Sequence, residues 1–94
     1  MIDKELQTLV QAKDYENAIA ILIKEIEATE EETRKSKLLT NLGTIECLKG
    51  EYKKGINTYQ KAMKVSSEED IYLLYFFIAN AYLETGDIKK AEEQ

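Results

Sequence analysis

Apolar residues recur at steps of three and four along most of this chain, which is the spacing that places side chains on one face of an α-helix. Leu38, Leu42 and Ile45 follow this spacing, and Leu74 and Ile78 resume it further along. Short segments that contain turn residues separate the periodic stretches. The pattern predicts five helices, over residues 3–12, 15–29, 33–49, 52–65 and 68–85, and the start of a sixth from residue 88 onward.

Three of the segments that join these helices are similar to one another. Residues 13–18, 50–55 and 86–91 each contain an acidic residue, then Tyr or Ile, then a small residue three positions further on. The acidic residues lie 37 and 36 residues apart. We expect each acidic side chain to accept hydrogen bonds from the free amides that begin the next helix. The chain is therefore predicted to repeat one unit, a pair of amphipathic helices.

The residues at these spacings resemble the tetratricopeptide repeat, a helix-turn-helix unit of about 34 residues. The matching positions are Leu39, Leu42, Gly43, Gly50, Tyr52, Gly55, Tyr59 and Ala62 in the second unit and Tyr75, Ile78, Ala79, Tyr82, Gly86 and Ala91 in the third. The resemblance implies one all-α domain over residues 1–94, a right-handed α-solenoid of antiparallel helix pairs. Its repeats would lie at about 1–32, 36–69 and 72–94, the last one incomplete.

Small and aromatic residues have defined places in this pattern. Small residues such as Gly43 and Gly55 would let helix backbones approach closely, and Tyr59, Tyr75 and Tyr82 would fill the space between helices. The chain departs from the family pattern in lacking proline and in its longer period. We place the surplus residues at the junctions between units, where they would lengthen the second helix of each pair.

Composition narrows the possible functions mainly by exclusion. The 18 acidic and 13 basic residues give a formal net charge of −5, which is the wrong sign for a protein that binds nucleic acid phosphates. Cys47 is the only cysteine and there is no histidine, so we expect no metal site, no cofactor and no histidine-based catalytic triad. We expect the Cys47 thiol to be buried and unreactive.

Two further features bear on location. The first ten residues lack the pattern of a secretory signal, and the longest apolar run, residues 71–79, is about half the length of a membrane span. We therefore expect a cytoplasmic protein that does not bind membranes.

The resemblance also implies where a partner would bind, because the family binds peptides or helices on the concave face lined by the first helix of each pair. Of the residues that grip an acidic C-terminus in one type of member, only Asn41 is present. We therefore expect a scaffold for protein interaction whose groove is apolar and lined with amides. The predicted groove residues are Gln7, Thr40, Asn41, Thr44, Leu73, Phe76, Phe77 and Asn80, with Cys47 beside them.

Three alternatives stay open at this level. Phe76 and Phe77 are either anchors for a ligand or core residues covered by a sixth helix or a neighbouring subunit. Residues 71–79 are apolar on nearly every side, which predicts a homodimer. The incomplete third unit favours an oligomerising segment of a larger helical-repeat protein or regulator over an adaptor. Glu46 is expected to pair with a lysine such as Lys49 or to be solvated. We do not expect an enzyme, which would need Glu46 and Glu84 as a pair of catalytic carboxylates.

Overall fold

The computed structural model describes residues 2–85 and contains five α-helices in this range. Helix bounds agree with the predicted ones to within two residues, and there is no strand between residues 2 and 85. The predicted sixth helix and the turn before it lie outside the described residues. The helices are α1 (Ile2–Gln11), α2 (Tyr15–Ala28), α3 (Glu32–Leu48), α4 (Tyr52–Met63) and α5 (Glu68–Glu84).

Each helix packs against the next one in sequence, so the chain forms a stack of helices around a continuous core. The core has two parts, and Ile26 of α2 contacts both of them. The packing confirms the predicted all-α helical repeat, whereas the right-handed coiling and the repeat boundaries stay predictions. One part of the core joins α1, α2 and α3 through Leu6, Ala18, Leu22, Leu38, Leu42 and Ile45. The other joins α3, α4 and α5 through Leu39, Ile56, Tyr59, Ala62, Leu74, Ile78 and Ala81.

The first two turns have the same backbone geometry. Lys13 and Gly50 both have positive φ, at 60° and 95°. In each turn the following amide donates a hydrogen bond to the carbonyl five residues earlier, at 2.8 Å after Lys13 and 2.9 Å after Gly50. This left-handed helix ending normally requires glycine, because a Cβ is crowded there. The internal similarity found in the sequence therefore corresponds to a repeated helix-ending geometry.

Small residues bring α3 and α4 into close contact, as predicted. A Cβ added to Gly55 would lie 2.8 Å from the backbone oxygen of Gly43 and 2.5 Å from Sγ of Cys47. Tyr59 fills the space beside Gly43 and is 4% exposed. Tyr75 was also predicted to fill the space between helices. This prediction was wrong, because Tyr75 is 52% exposed on α5.

The predicted caps at the two turns were wrong. Asp14 and Glu51 precede α2 and α4, but neither side chain accepts a hydrogen bond from a backbone amide of the helix that follows it. Both have ψ near 66°, not the extended backbone that points a capping side chain at the first turn. Ser67 does have an extended backbone, with ψ of 165°, and its hydroxyl accepts a hydrogen bond from the amide of Asp70 at 3.4 Å. Backbone conformation decides which of these residues caps a helix.

The surplus residues lengthen the first helix of a pair, not the second. α3 and α5 each have 17 residues, whereas α2 and α4 have 14 and 12. Glu32 lies in the first turn of α3, and Glu68, Glu69 and Asp70 lie in that of α5, where acidic side chains interact favourably with the helix dipole. The extra residues therefore join the helix that follows each junction.

Candidate functional site

An open groove of about 670 Å³ lies between α1 and α3. It brings together Gln7, Asn41 and Thr44, three of the residues predicted to line a binding surface. The residues that line it are Leu6, Gln7, Val10, Gln11, Asn41, Thr44, Ile45 and Leu48. This groove is the candidate functional site, and we call it the α1–α3 groove.

Helix periodicity explains why these residues meet. Gln7 and Gln11 are one turn apart on α1, and Asn41, Thr44 and Leu48 recur on α3 at steps of three and four. Buried Leu6 and Ile45 hold the two helices at the base of the groove. The sequence reasoning missed Gln11, Val10 and Leu48, although the same periodicity from Gln7 and Asn41 could have found them.

The described side chains that line the groove are uncharged, in a chain whose residues are 33% charged. Among the described residues that line it, none has an ionisable side chain. Gln7, Gln11 and Asn41 are exposed, and their carboxamides have no hydrogen-bond partner among residues 4–85, whose side chains the structure describes. Leu48 is 54% exposed and adds an apolar surface. The groove therefore presents donors and acceptors beside apolar side chains, without a charge.

Thr44 connects this groove to an aromatic cluster. Its hydroxyl lies 2.9 Å from the hydroxyl of Tyr59, whose ring stacks on that of Phe77 with 5.7 Å between ring centroids. Phe76 contacts Phe77 edge-on at 6.5 Å. Burial raises the pKa of Tyr59 to about 12, although the hydrogen bond with Thr44 lowers it. The Tyr59 hydroxyl is therefore neutral at physiological pH. Its contact with the Thr44 hydroxyl holds that side chain beside Tyr59.

The other predicted groove residues do not line the α1–α3 groove. The Thr40 hydroxyl donates to the backbone oxygen of Ser36 at 2.8 Å, and Phe77 is half-buried against Tyr59. The remaining three, Leu73, Phe76 and Asn80, are exposed on α5. The structure thus groups the predicted residues on two surfaces, one on α1 and α3 and one on α5.

Glu46 is buried and pairs with a lysine, as one of the two predictions had it, but the lysine is Lys54 and not Lys49. Its side chain is 2% exposed and accepts a hydrogen bond of 2.5 Å from the hydroxyl of Thr58 on α4. Its basic neighbour is Lys54 at 4.0 Å, because Lys49 instead pairs with Glu51 at 3.0 Å. The hydrogen bond between this pair raises the pKa of Lys49 and lowers that of Glu51. Glu46 therefore joins α3 to α4.

Glu84, the second carboxylate of the enzyme alternative, also has a partner of its own. It accepts a hydrogen bond from the hydroxyl of Tyr52 at 3.2 Å, and this bond raises the pKa of Tyr52. Glu46 and Glu84 thus each accept a hydrogen bond from a side chain on α4, so both carboxylates have a structural role.

The Cys47 thiol is half-buried beside Gly55. Burial raises its pKa, and the charges of Glu46 and Glu84 raise it further, although a hydrogen bond with Tyr59 lowers it. The protonated thiol is therefore favoured at neutral pH, which agrees with the expectation of an unreactive cysteine.

The stacked helix pairs and their repeated turn define a helical-repeat protein. Residues 72–94 match the family model for the tetratricopeptide repeat, which supports the tetratricopeptide repeat that the sequence pattern predicts there. The match indicates a scaffold for protein–protein interaction, a class that is typically not enzymatic. A search of curated proteins gave no significant match. None of the described helices has the length and hydropathy needed to cross a membrane.

Proposed function

We propose that this chain binds a protein partner through a peptide or helix held in the α1–α3 groove. The observation that supports the proposal is the meeting of Gln7, Asn41 and Thr44 in one uncharged groove. These residues occupy positions at which the repeat family binds ligands, and they come from two different helices. A concave groove with an apolar surface and a few polar groups is the usual form of a binding site.

The proposed surface extends onto α5. Phe76 is 62% exposed and Leu73 is 51% exposed, and both lie on the first helix of the third unit. Phe77 connects this region to Thr44 through the ring of Tyr59. In this proposal Phe76 and Leu73 supply apolar anchors, Asn80 supplies an amide, and Thr40 borders the α3 part of the surface.

Site-specific photocrosslinking in living cells tests the proposal. A benzoylphenylalanine replaces Gln7 in one variant and Gln60 in a control. Both glutamines are exposed, but Gln60 lies on α4 and does not line the groove. We expect discrete protein crosslinks from position 7 and none of the same mass from position 60. Equal crosslinking from both positions, or none from position 7, would contradict the proposal.

A second candidate function is self-association through α5. Five large apolar side chains of this helix, Tyr72, Leu73, Tyr75, Phe76 and Leu83, are each at least half exposed. Exposed apolar surface of this extent is typical of interaction sites. Sedimentation at micromolar concentration tests this candidate, because a dimer mass that Phe76→Asp converts to a monomer mass would support it. A monomer mass of the unmodified chain would contradict it.

A further inference from the structure

The lining of the α1–α3 groove defines the chemistry of its partner. We infer that the partner binds as an extended, uncharged peptide segment with apolar side chains, whose backbone is held by Gln7, Gln11 and Asn41. This inference rests on the proposed function, because it describes the ligand of the same groove.

The absence of charge among the described lining residues bears on the charge of the ligand. A charged ligand side chain would lose water beside Leu48 and Val10 with no opposite charge to compensate among the described lining residues. A neutral segment has no such desolvation cost. The groove therefore favours uncharged ligand residues over acidic or basic ones.

The carboxamides in the groove distinguish an extended ligand from a helical one. Each carboxamide has both a donor and an acceptor, as does each peptide unit of an extended chain. A helical ligand already uses its backbone groups in its own hydrogen bonds. Gln7, Gln11 and Asn41 have no hydrogen-bond partner among residues 4–85, so toward this part of the chain their groups are available to a peptide backbone.

The spacing of the glutamines along α1 is close to the repeat distance of an extended chain. Gln7 and Gln11 are four residues apart on α1, which is a rise of about 6 Å along the helix. Every second residue of an extended chain repeats after about 6.6 Å. Successive peptide groups on one side of an extended ligand can therefore meet successive glutamines. Its side chains would then contact Val10 and Leu48.

Binding of capped peptides to the isotopically labelled chain tests the inference. The probes are pools of acetylated and amidated hexapeptides, each pool with one fixed residue, and hydrocarbon-stapled helical peptides. We expect pools with Val, Leu or Ile to shift the amide resonances of Gln7, Asn41 and Thr44, and pools with Asp, Glu, Lys or Arg to shift them less. The best neutral hexapeptide should bind with nearly the same Kd in about 50 and about 500 mM NaCl.

Single substitutions then test the backbone contacts. Gln7→Ala and Gln11→Ala should each weaken binding of that hexapeptide by about 2- to 10-fold, which is the effect of losing one hydrogen bond. Gln60→Ala should leave the Kd unchanged. Methylation of the peptide nitrogens that face the glutamines should weaken binding to a similar degree. Because all three glutamines are exposed, circular dichroism should show that the variants remain folded.

The outcomes separate this inference from the proposed function. Stronger binding of charged pools or stapled helices at the groove resonances would overturn the inference and leave the groove as a binding site. Crosslinks from position 7 without hexapeptide binding would have the same meaning. Failure of both the hexapeptides and the crosslinking would overturn the inference and the proposed function together.

Discussion

The hydroxyl of Thr58 on α4 donates a hydrogen bond of 2.5 Å to the carboxylate of Glu46 on α3. This carboxylate is 2% exposed, so Thr58→Val would remove a partner from a buried acidic group. We expect the free energy of unfolding to fall by about 1.5 to 3 kcal/mol, as for a hydrogen bond to a charged group. Urea denaturation followed by circular dichroism measures this change.

Thr8→Val provides the control for that substitution. The Thr8 hydroxyl is exposed and bonds only to the backbone of its own helix, at Lys4, so the change should stay within about 0.5 kcal/mol. Equal effects of the two substitutions would show that the Glu46–Thr58 contact adds no stability beyond that of an exposed threonine.

Lys13 and Gly50 have the same left-handed backbone, so exchanging the residue types should have opposite effects. Lys13→Gly removes a crowded Cβ and should stabilise the chain by about 0.5 to 1 kcal/mol after the greater freedom of glycine in the unfolded state is subtracted. Gly50→Lys should destabilise it by a similar amount. Thermal unfolding of both variants measures the two shifts, and shifts of the same sign would contradict this explanation.

Gly55 sets the distance between α3 and α4. In Gly55→Ala the new Cβ would lie 2.8 Å from the Gly43 oxygen, a backbone atom that cannot move without shifting α3. Overpacking costs about 1 to 3 kcal/mol, and the better helix propensity of alanine offsets about 1 kcal/mol. We expect a net loss of up to about 2 kcal/mol in urea denaturation. The control Lys53→Ala, at an exposed position of the same helix, should change stability little.

Tyr59 should make stability depend on alkaline pH. Its folded pKa of about 12 lies above the ordinary value of 10.0, so its contribution is complete below pH 10.0 and is lost as pH rises towards 12. The raised pKa of Lys49 acts in the same direction above 10.5. Tyr59→Phe removes only the tyrosine part, so its Tm should fall less steeply between about pH 10 and pH 11. Parallel Tm curves for the two proteins would contradict this assignment.

The positions of the helices could be predicted from the sequence because each depends on local pattern. The spacing of Leu38, Leu42 and Ile45 is compatible with only one face of a helix, and a chain without proline has few places to interrupt it. The similar turns around Lys13 and Gly50 were likewise visible as a repeated segment. Close approach at Gly43 and Gly55 followed from the absence of a side chain.

Properties that depend on two helices at once could be predicted only in part. Gln7 and Asn41 were placed on one surface through the family resemblance, and helix periodicity could have added Val10 and Leu48, but only the packing of α1 beside α3 shows that all four line one groove. Phe77 was expected on the binding surface, but its ring stacks on Tyr59, which is distant in sequence. Sequence spacing does not measure distances between helices.

By itself, the sequence determined the approximate bounds of the five described helices, the similarity of their first two turns and the lack of histidine chemistry, because these follow from local periodicity and composition. Only the tertiary structure decided that Glu46 is buried against Thr58 and that the side chains of Asp14 and Glu51 do not cap their helices. Burial depends on which helices surround a residue, and capping depends on backbone angles that the packed turns impose. The uncharged groove likewise exists only where the side chains of α1 and α3 meet.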